Sequence, residues 1–340
     1  MAKNNNNLRT ARKAKNDEFY TQYADIQTEV NAYLDFNPDL FKNKTVLCPC
    51  DDPEWSNFTK FFAQNFQRFG LKKFISTSYS KTPGQFGKIF WIDRDVTGDG
   101  RVDINDLQWD ILSCDGDFRS LEVTAIRDQA DFIITNPPFS LFREFMDWIW
   151  KGPGLQFLVI GNMNAIAYKE VFPKIKNNFM WIGAGGFRAM EYIKPDGTMQ
   201  KMGNTCWFTN IDHGRRHQPL QLMTVAENLR LSKHGAIKGK AFEEAYPKYD
   251  NYDAIEVSYT DAIPEDYDGV MGVPISFLDK FCPEQFEILG MTCRNYSPEF
   301  VTKIYTKEDY SNANDMNGSA QILLNGDPKQ VYSRILIRKK

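Results

Sequence analysis

The feature that most constrains this chain is a short apolar strand followed by two prolines and then by a helical stretch. Residues 130–135 (ADFIIT) have the β-branched and aromatic content of a buried parallel strand. Ser140 suits a helix N-cap, and the apolar residues of 141–150 recur at helical spacing. Between them stands Asn136-Pro137-Pro138-Phe139. This order of elements predicts that the Asn136 side chain lies at the carboxyl end of a sheet, where open α/β folds bind ligands.

The four residues of this turn suit the activation of an exocyclic amine. On a purine, the lone pair of such an amine is delocalised into the ring, so the nitrogen is a poor nucleophile. The Asn136 oxygen and the backbone carbonyl of Asn136 or Pro137 can accept both amine hydrogens and favour a pyramidal nitrogen. Prolines add no competing N–H, and Phe139 can stack on a base drawn out of a duplex. The predicted catalytic residues are therefore Asn136, Pro137, Pro138 and Phe139; the alternative is a proline pair that merely ends a strand.

Several stretches, in the same order along the chain, resemble one enzyme family. Asn136-Pro137-Pro138-Phe139 resembles the motif of amino-methyltransferases that use S-adenosylmethionine, and residues 134–144 (ITNPPFSLFRE) resemble the EcoRI-type adenine-specific DNA modification methyltransferases. Stretches similar to the same family are found at residues 13–22, 50–58, 116–120, 161–170, 271–274 and 331–335. The resemblance implies a Rossmann-like fold, S-adenosylmethionine as cofactor and double-stranded DNA as partner. It implies methylation of a flipped adenine at N6, either beside a separately encoded restriction endonuclease or as a stand-alone enzyme.

The resemblance also assigns cofactor-binding residues. The loop after the first strand supplies Asp51, Asp52, Pro53, Ser56 and Asn57. An acidic side chain there would hold the amino group of the cofactor, and Ser56 or Asn57 its carboxylate. Ser56 and Phe58 stand where many amino-methyltransferases have glycines, so an Asp-Asp-Pro turn before a capped helix is the alternative.

Two further pairs follow from the same family pattern. Tyr20-Thr21 resembles its N-terminal cofactor motif, with a hydroxyl near the methionine carboxylate of the cofactor. Asp117 would accept from the adenine amine of the cofactor, and Phe118 would cover the adenine face.

The coarse pattern of the chain is an alternation of strands and helices. Residues 18–36 are typical of a helix entered at Phe19-Tyr20-Thr21, and residues 57–69 of an amphipathic helix ended by Gly70. Strands are predicted at 45–48, 71–79, 156–161, 179–183 and 204–211, with an irregular stretch from residue 80 to about residue 130. The alternation predicts an α/β fold with a doubly wound, mostly parallel sheet.

The length of 340 residues suits one large domain and a smaller module. We predict a flexible basic arm at 1–15, a catalytic domain at 16–212 with an insertion at about 80–113, and a smaller α+β DNA-recognition and C-terminal region at 213–340. No apolar run reaches the roughly 18 residues of a membrane span. The six cysteines form no CxxC pair. We therefore expect no membrane contact and a reducing, cytoplasmic location.

The net charge of −3 hides a segregation of charge along the chain. Residues 1–15 contain lysine and arginine but no acid, and residues 201–248 contain eight further cationic side chains. A nucleic-acid enzyme can be acidic in total if the face toward phosphate is basic. The residues predicted to contact DNA are Arg12, Lys13, Lys15, Arg215, Arg216 and Lys233. The alternative for each cluster is an ordinary mixed surface.

Residues 95–106 (DVTGDGRVDIND) fit the pattern of a twelve-residue calcium loop. Oxygen donors fall at positions 1, 3, 5, 9 and 12, with glycine at position 6. The predicted metal residues are Asp95, Thr97, Asp99, Arg101, Asp103 and Asp106, and a bound Ca²⁺ would order the insertion. The alternative is an Asp- and Gly-rich turn.

Two other functions stay open at this point. RNA guanine-N2 and protein glutamine methyltransferases also use Asn-Pro-Pro-aromatic turns, although the flanking stretches argue against both. The second is a non-catalytic, calcium-stabilised DNA-binding protein, since the loop after the first strand lacks the usual glycines.

Overall fold

A computed structural model describes residues 20–52, 56–188, 190–193, 198–293 and 296–340. The chain divides into two compact units. Unit 1 comprises Met1–Ile175 and Phe179–Gly214, and unit 2 comprises Lys176–Asn178 and Arg215–Lys340. The predicted arm at residues 1–15 lies outside the described residues. The roles assigned above to the parts of the chain stay predictions.

Unit 1 contains eleven of the described strands and the first six described helices. The strands are β1 (Tyr20–Thr21), β2 (Thr45–Cys48), β3 (Lys73–Ser78), β4 (Lys88–Ile92), β5 (Gln108–Ile111), β6 (Phe132–Thr135), β7 (Gln156–Asn162), β8 (Trp181–Ile182), β9 (Met190–Ile193), β10 (Met199–Met202) and β11 (Thr205–Thr209). The helices are α1 (Tyr23–Phe36), α2 (Asn57–Gln64), α3 (Phe66–Phe69), α4 (Leu121–Arg127), α5 (Phe142–Trp150) and α6 (Phe172–Lys176), the last ending in unit 2.

An eight-stranded sheet in the order β5-β4-β3-β2-β6-β7-β11-β8 forms the centre of unit 1. The pairs β3–β2, β2–β6 and β6–β7 are parallel. On either side, β4 and β11 run antiparallel to their neighbours, so six of the eight strands point in one direction. The prediction of an α/β fold with a mostly parallel sheet is confirmed.

The central strands β2 and β6 are buried along their whole length, as expected for parallel strands inside an α/β unit. Phe58, Phe61 and Phe62 of α2 are buried in the same core. The ring of Phe41 meets that of Phe132 in β6 edge-on, at 5.0 Å between centroids. This core fixes the height at which the strands end, and therefore the position of the loops that follow them.

Two predictions about the elements of unit 1 were wrong. Tyr20-Thr21 does not begin a helix; it forms β1, which pairs antiparallel with β9 in a separate three-stranded sheet β1-β9-β10. The stretch after residue 80 is not irregular throughout, because β4 and β5 extend the large sheet by two antiparallel strands. In both cases, pairing with another strand decides the local structure: β1 pairs with the distant β9, and β4 pairs with β3 and β5.

Unit 2 contains a smaller, mixed sheet. Its strands are β12 (Ile255–Glu256), β13 (Met271–Pro274), β14 (Phe286–Met291), β15 (Gln321–Leu324), β16 (Asp327–Gln330) and β17 (Arg334–Lys339), and its helices are α7 (Val225–Leu231), α8 (Phe242–Ala245) and α9 (Ala313–Asn317). The sheet order is β12-β13-β17-β14, and β15 and β16 form a hairpin. Arg334 and the buried Glu256 form an ion pair at 2.7 Å inside this unit.

Among the residues that the structure describes, no helix has the length and apolar character needed to cross a bilayer.

Candidate active site

A cavity of about 620 Å³ opens in unit 1, where β2, β3 and β6 end. Its wall is formed by the loop after β2, the start of α2, the loop after β3, the segment before α4 and the turn after β6. Because parallel strands present their carboxyl ends at one edge of a sheet, these loops converge although they are distant in sequence. The volume is in the range of small-molecule and cofactor sites.

Most of the predicted catalytic and cofactor residues line this cavity. They are Thr21, Asp51, Asp52, Ser56, Asn57, Asp117, Phe118, Asn136, Pro137 and Pro138. Phe139 does not lie among the lining residues; its half-buried side chain packs against the large core of unit 1. Pro53 and the Tyr20 side chain lie outside the described residues.

Part of the cavity wall is formed by residues that were not predicted from the sequence. Residues 79–82 and Gln85 follow β3, and Arg119 and Leu141 lie beside predicted site residues. The end of β3 lies next to the end of β2. Because β3 was predicted as the second strand of a parallel sheet, the loop after it could have been expected at the same edge. Tyr79 and Lys81 in this loop add an aromatic ring and a cation to the wall.

A closed circuit of hydrogen bonds links three chain segments at the cavity. Asn136 Nδ2 donates to Thr21 Oγ1 at 3.3 Å, and Asn57 Nδ2 donates to the Thr21 carbonyl at 2.8 Å. Thr135 Oγ1 donates to Asp51 Oδ2 at 2.5 Å, and Ser56 Oγ donates to Asp51 Oδ1 at 2.7 Å. Together with the peptide bonds 135–136 and 56–57, these four hydrogen bonds form a closed ring. We call its six residues the Asn136 ring: Thr21, Asn136, Thr135, Asp51, Ser56 and Asn57.

Asp51 is the buried acid of the Asn136 ring. Burial raises the pKa of its carboxyl to about 7, while the hydroxyls of Thr135 and Ser56 act in the opposite direction. Both oxygens of the carboxylate accept from these two hydroxyls. The carboxylate therefore joins the loop after β2 to the end of β6; contact of Asp51 with a cofactor stays a prediction.

Ser56 also forms the N-terminus of α2. Its Oγ accepts from the backbone N–H of Phe58 at 3.1 Å, which caps one of the unpaired amides of the first turn. The same hydroxyl donates to Asp51. A single side chain thus caps the helix and completes the Asn136 ring.

The backbone of the proline turn is partly committed. The Pro138 carbonyl accepts from Leu141 N–H at 2.9 Å and begins a 3₁₀ turn over Phe139–Leu141. The carbonyls predicted to meet an amine are those of Pro137 and Asn136, which lie one and two residues before Pro138. The hydrogen bond that closes the turn therefore uses the Pro138 carbonyl and not the carbonyl of Asn136 or Pro137.

Asp117 and Arg119 form an ion pair at the cavity wall. The Arg119 guanidinium donates to both Asp117 oxygens, at 2.9 and 2.5 Å, and holds the pKa of that carboxyl below its usual value. Asp117 was predicted to accept from an adenine amine, and it now shares its carboxylate with an arginine. Phe118 is buried and meets Phe145 and Trp148 edge-on, at 5.0 and 5.5 Å between centroids.

The backbone approaches itself closely behind this wall. Gly116 has a φ of +83°, and a Cβ there would overlap the Ser78 carbonyl oxygen. Gly87 lies against the same carbonyl and against Gly116. The absence of a side chain at Gly116 lets the segment that carries Asp117 and Phe118 sit directly beside the end of β3.

A second buried acid holds a glycine-rich loop. Glu29 of α1 accepts from Gly185 N–H at 2.7 Å and from the Tyr33 hydroxyl at 3.1 Å. Burial raises the pKa of this carboxyl to about 7. A Cβ at Gly183 or Gly185 would collide with the Glu29 carboxylate. The loop is therefore shaped around a carboxylate of the chain itself.

The calcium prediction for residues 95–106 is not supported. No group of three or more His, Cys, Asp or Glu side chains within the described ranges could hold a metal ion. Asp95 accepts from the amides of Gly98 and Gly100, and Asp106 from those of Val96, Thr97 and Asp103. These amides lower the pKa of both carboxyls.

The remaining predicted ligands of that loop are also held locally. Asp99 accepts from the amide of Arg101, Asp103 accepts from that of Asn105, and the Thr97 hydroxyl donates to Asp95. Acidic side chains at this spacing close turns on their own backbone as readily as they surround a cation. The loop is a set of Asx turns that ends in a capped 3₁₀ helix.

The predicted DNA contacts in unit 2 are engaged within that unit. Arg215 pairs with Asp279 at 2.6 Å, and the buried Arg216 donates to Asn178 at 2.5 Å. Lys233 is largely exposed and pairs with Asp261 at 2.8 Å. Arg12, Lys13 and Lys15 lie outside the described residues. Contact of any of these residues with DNA stays a prediction.

Comparisons with known proteins agree with one another. The chain matches the family model described as adenine-specific methyltransferase EcoRI over residues 7–340. It is 41% identical over 313 residues to the Type II methyltransferase M.EcoRI of Escherichia coli. The matched region covers 85% of this chain and 90% of that protein. It is 33% identical over 349 residues to the Type II methyltransferase M.MpnI of Mycoplasma pneumoniae, with 97% of each chain covered. No solved structure matches the chain significantly.

Proposed function

The chain belongs to the EcoRI family of adenine-specific methyltransferases, and from this premise we propose that it transfers a methyl group from S-adenosylmethionine to N6 of adenine in double-stranded DNA. The observation that carries the proposal is the position of Asn136, Pro137 and Pro138 on the wall of the unit 1 cavity. A pocket with an asparagine–proline–proline turn at its edge suits the activation of an amine beside a bound small molecule.

The proposed role of the turn is to make the adenine amine a better nucleophile. The Asn136 side-chain oxygen and the Asn136 or Pro137 carbonyl accept the two N6 hydrogens, which favours a pyramidal nitrogen with its lone pair free to attack. Neither proline has an N–H that could compete for these acceptors. The nitrogen loses its extra proton only after attack, so alignment and hydrogen bonding supply the acceleration and no general base is required.

The volume of the cavity and the chemistry of its lining side chains suit S-adenosylmethionine. The cavity volume of about 620 Å³ is adequate for a ligand of this size. We assign the cationic amino group to Asp52, because it is half-buried on the cavity wall whereas Asp51 is buried. Asn57 is assigned to the carboxylate, and Asp117 with Phe118 to the adenine. When bound, the cofactor supplies an electrophilic methyl group on a sulfonium centre.

Adenine in a duplex must leave the base stack to reach such a pocket. We assign the exposed part of the half-buried Phe139 ring to the extruded base; the ring packs against the core, which fixes its plane. Stacking on an aromatic ring recovers about 1–3 kcal/mol per base. We assign DNA recognition to unit 2 together with residues 1–15. We also propose that unit 1 has a Rossmann-like fold. Protection of DNA from a separately encoded endonuclease is the proposed role in the cell.

A transfer experiment with labelled cofactor tests the proposal. The full-length protein is incubated with tritiated S-adenosylmethionine and, separately, with DNA from cells that lack adenine methylation, with total RNA and with cell protein. We expect label only in DNA, and after digestion only in N6-methyladenine. Label in RNA guanine, in protein or in another base would overturn the assignment. The Asn136→Ala protein is the matched control for contaminating activity, and sequencing of the product DNA gives the target site.

A further inference from the structure

The hydroxyl of Thr21 serves the protein's own asparagine. We propose that Thr21 is a positioning residue that holds the Asn136 amide in its reactive orientation, an inference that rests on the proposed function. The sequence resemblance places a hydroxyl of Tyr20-Thr21 near the cofactor carboxylate. The hydrogen bond from Asn136 Nδ2 to Thr21 Oγ1 assigns the Thr21 hydroxyl to the turn that activates the amine.

The position of Thr21 is set by contacts that do not involve Asn136. Thr21 is 2% exposed, and it lies in β1 opposite Tyr192 of β9. Its carbonyl accepts from Asn57 Nδ2 at 2.8 Å. A strand pair on one side and an asparagine at the start of α2 on the other therefore keep the Thr21 hydroxyl in place before any ligand binds.

The chemistry gives this contact a consequence for rate. The terminal amide of asparagine rotates about a soft sp³–sp² torsion with broad minima, so packing alone defines its plane poorly. The bond to Thr21 holds Nδ2 on one side, and the planar amide then carries Oδ1 at a fixed angle to it. A target amine thus meets an acceptor that is already oriented, which lowers the reorganisation needed in the transition state.

The rest of the Asn136 ring holds the backbone on which this amide is mounted. Thr135, the residue before Asn136, is fully buried and donates to Asp51. Asp51 in turn accepts from Ser56, which precedes Asn57. Thr21 acts on the side chain of Asn136, whereas Thr135 acts on the strand end below it. The two contacts are therefore separable by mutation.

The test compares cofactor affinity with the rate of the chemical step in full-length protein. The variants are Thr21→Val, which removes the hydroxyl at nearly constant shape, and Thr21→Ser, which keeps it. Thr209→Val is the matched control, because Thr209 is also fully buried in unit 1 and its hydroxyl donates to the Phe157 carbonyl away from the cavity. Affinity for S-adenosylmethionine is measured by titration calorimetry, and methyl transfer by single turnover at saturating cofactor and excess enzyme over DNA.

We expect Thr21→Val to slow the single-turnover rate by roughly 10- to 100-fold, with cofactor affinity within about twofold of the wild type. Thr21→Ser should restore most of the rate, and Thr209→Val should leave it unchanged. In an Asn136→Ala background the hydroxyl has no amide to hold, so Thr21→Val should add little further loss. Thr21→Ala serves the same comparison if the valine variant does not fold.

Two results would overturn the inference. The first is a weakened cofactor affinity with an unchanged rate at saturation, which would assign the hydroxyl to the cofactor. The second is an equal loss of rate from Thr21→Val with and without Asn136. Failure of the proposed function is distinguishable from both, because the wild-type protein would then transfer no label to DNA.

Discussion

Thr135 Oγ1 lies 2.5 Å from Asp51 Oδ2, so the last residue of β6 is bonded to the loop that follows β2. The two residues are 84 positions apart in sequence, and both are buried. The Asp51 carboxylate therefore joins two parallel strands just beyond the point where their ladder ends.

Removing the Thr135 hydroxyl should cost stability. In Thr135→Val the Asp51 carboxylate loses one of its two hydroxyl donors in a buried position, and an unsatisfied buried polar group costs about 1–3 kcal/mol. Thr135→Ser keeps the donor and should cost much less. The free energy of unfolding of the two variants is compared in urea at pH 8, where Asp51 is mostly ionised. Equal values for the two variants would contradict this account.

Asn136→Ala should remove most of the methyl transfer and little of the DNA binding. The side-chain oxygen is proposed to act on the amine only as the nitrogen becomes pyramidal, so its loss raises the barrier of the chemical step. We expect a rate lower by on the order of 10²- to 10³-fold. The measurements are single-turnover transfer and fluorescence anisotropy with labelled DNA. An unchanged rate would remove Asn136 from the mechanism.

The stability of the protein should fall as pH rises from about 4.5 to 7. Burial raises the pKa of Glu29 from its ordinary value of 4.5 to about 7 in the folded chain. The folded state therefore binds a proton more tightly than the unfolded state in this window, and the free energy of unfolding decreases until Glu29 is ionised. Asp51 adds a change of the same sign.

Glu29→Gln tests the share of Glu29 in this pH dependence. The amide is nearly isosteric; its oxygen can accept from Gly185 and its nitrogen can donate to Tyr33. Urea unfolding at pH 5 and pH 8 should show a smaller loss of stability with pH than in the wild type. A slope equal to that of the wild type would show that Glu29 ionises normally despite its burial.

A matched pair of glycines tests the close approach of the backbone behind the cavity wall. Gly84 and Gly116 have φ values of +82° and +83°, but only Gly116 has atoms where a Cβ would lie. Gly84→Ala should cost about 1 kcal/mol from backbone strain alone. Gly116→Ala should cost about 3 kcal/mol or more, because the Ser78 carbonyl must move as well.

Affinity provides a second readout for the same pair. Gly116→Ala shifts the segment that carries Asp117 and Phe118, so we expect weaker binding of S-adenosylhomocysteine in titration calorimetry. Gly84→Ala should leave this affinity unchanged. Similar behaviour of the two variants in both measurements would show that the contact with Ser78 is easily relieved.

The local part of the site could be predicted from sequence because its signals are local. The strand before Asn136, the proline turn and the helix after it occupy consecutive residues, and each follows from propensity and periodicity. The same holds for α2 with its Ser56 cap. Convergence of these loops at one edge follows from the parallel sheet, which the alternation of strands and helices predicts.

The rest depends on partners that no local pattern reveals. Thr21 contacts Asn136 across 115 residues, and β1 exists because β9 pairs with it. The acids of residues 95–106 fit a calcium loop by spacing, yet the same spacing lets each carboxylate close a turn on its own amides. Arg216 reads as a surface cation in a basic stretch, but it is buried. Tertiary pairing decides these cases.

The place of β6 in the large sheet also bears on how the site behaves when the molecule fluctuates. β6 is paired on both sides, with β2 and with β7, whereas β5 is an edge strand with a neighbour only at β4. Partial opening begins where few contacts must break. Fraying at β5 therefore leaves in place both neighbours of the strand that leads into Asn136.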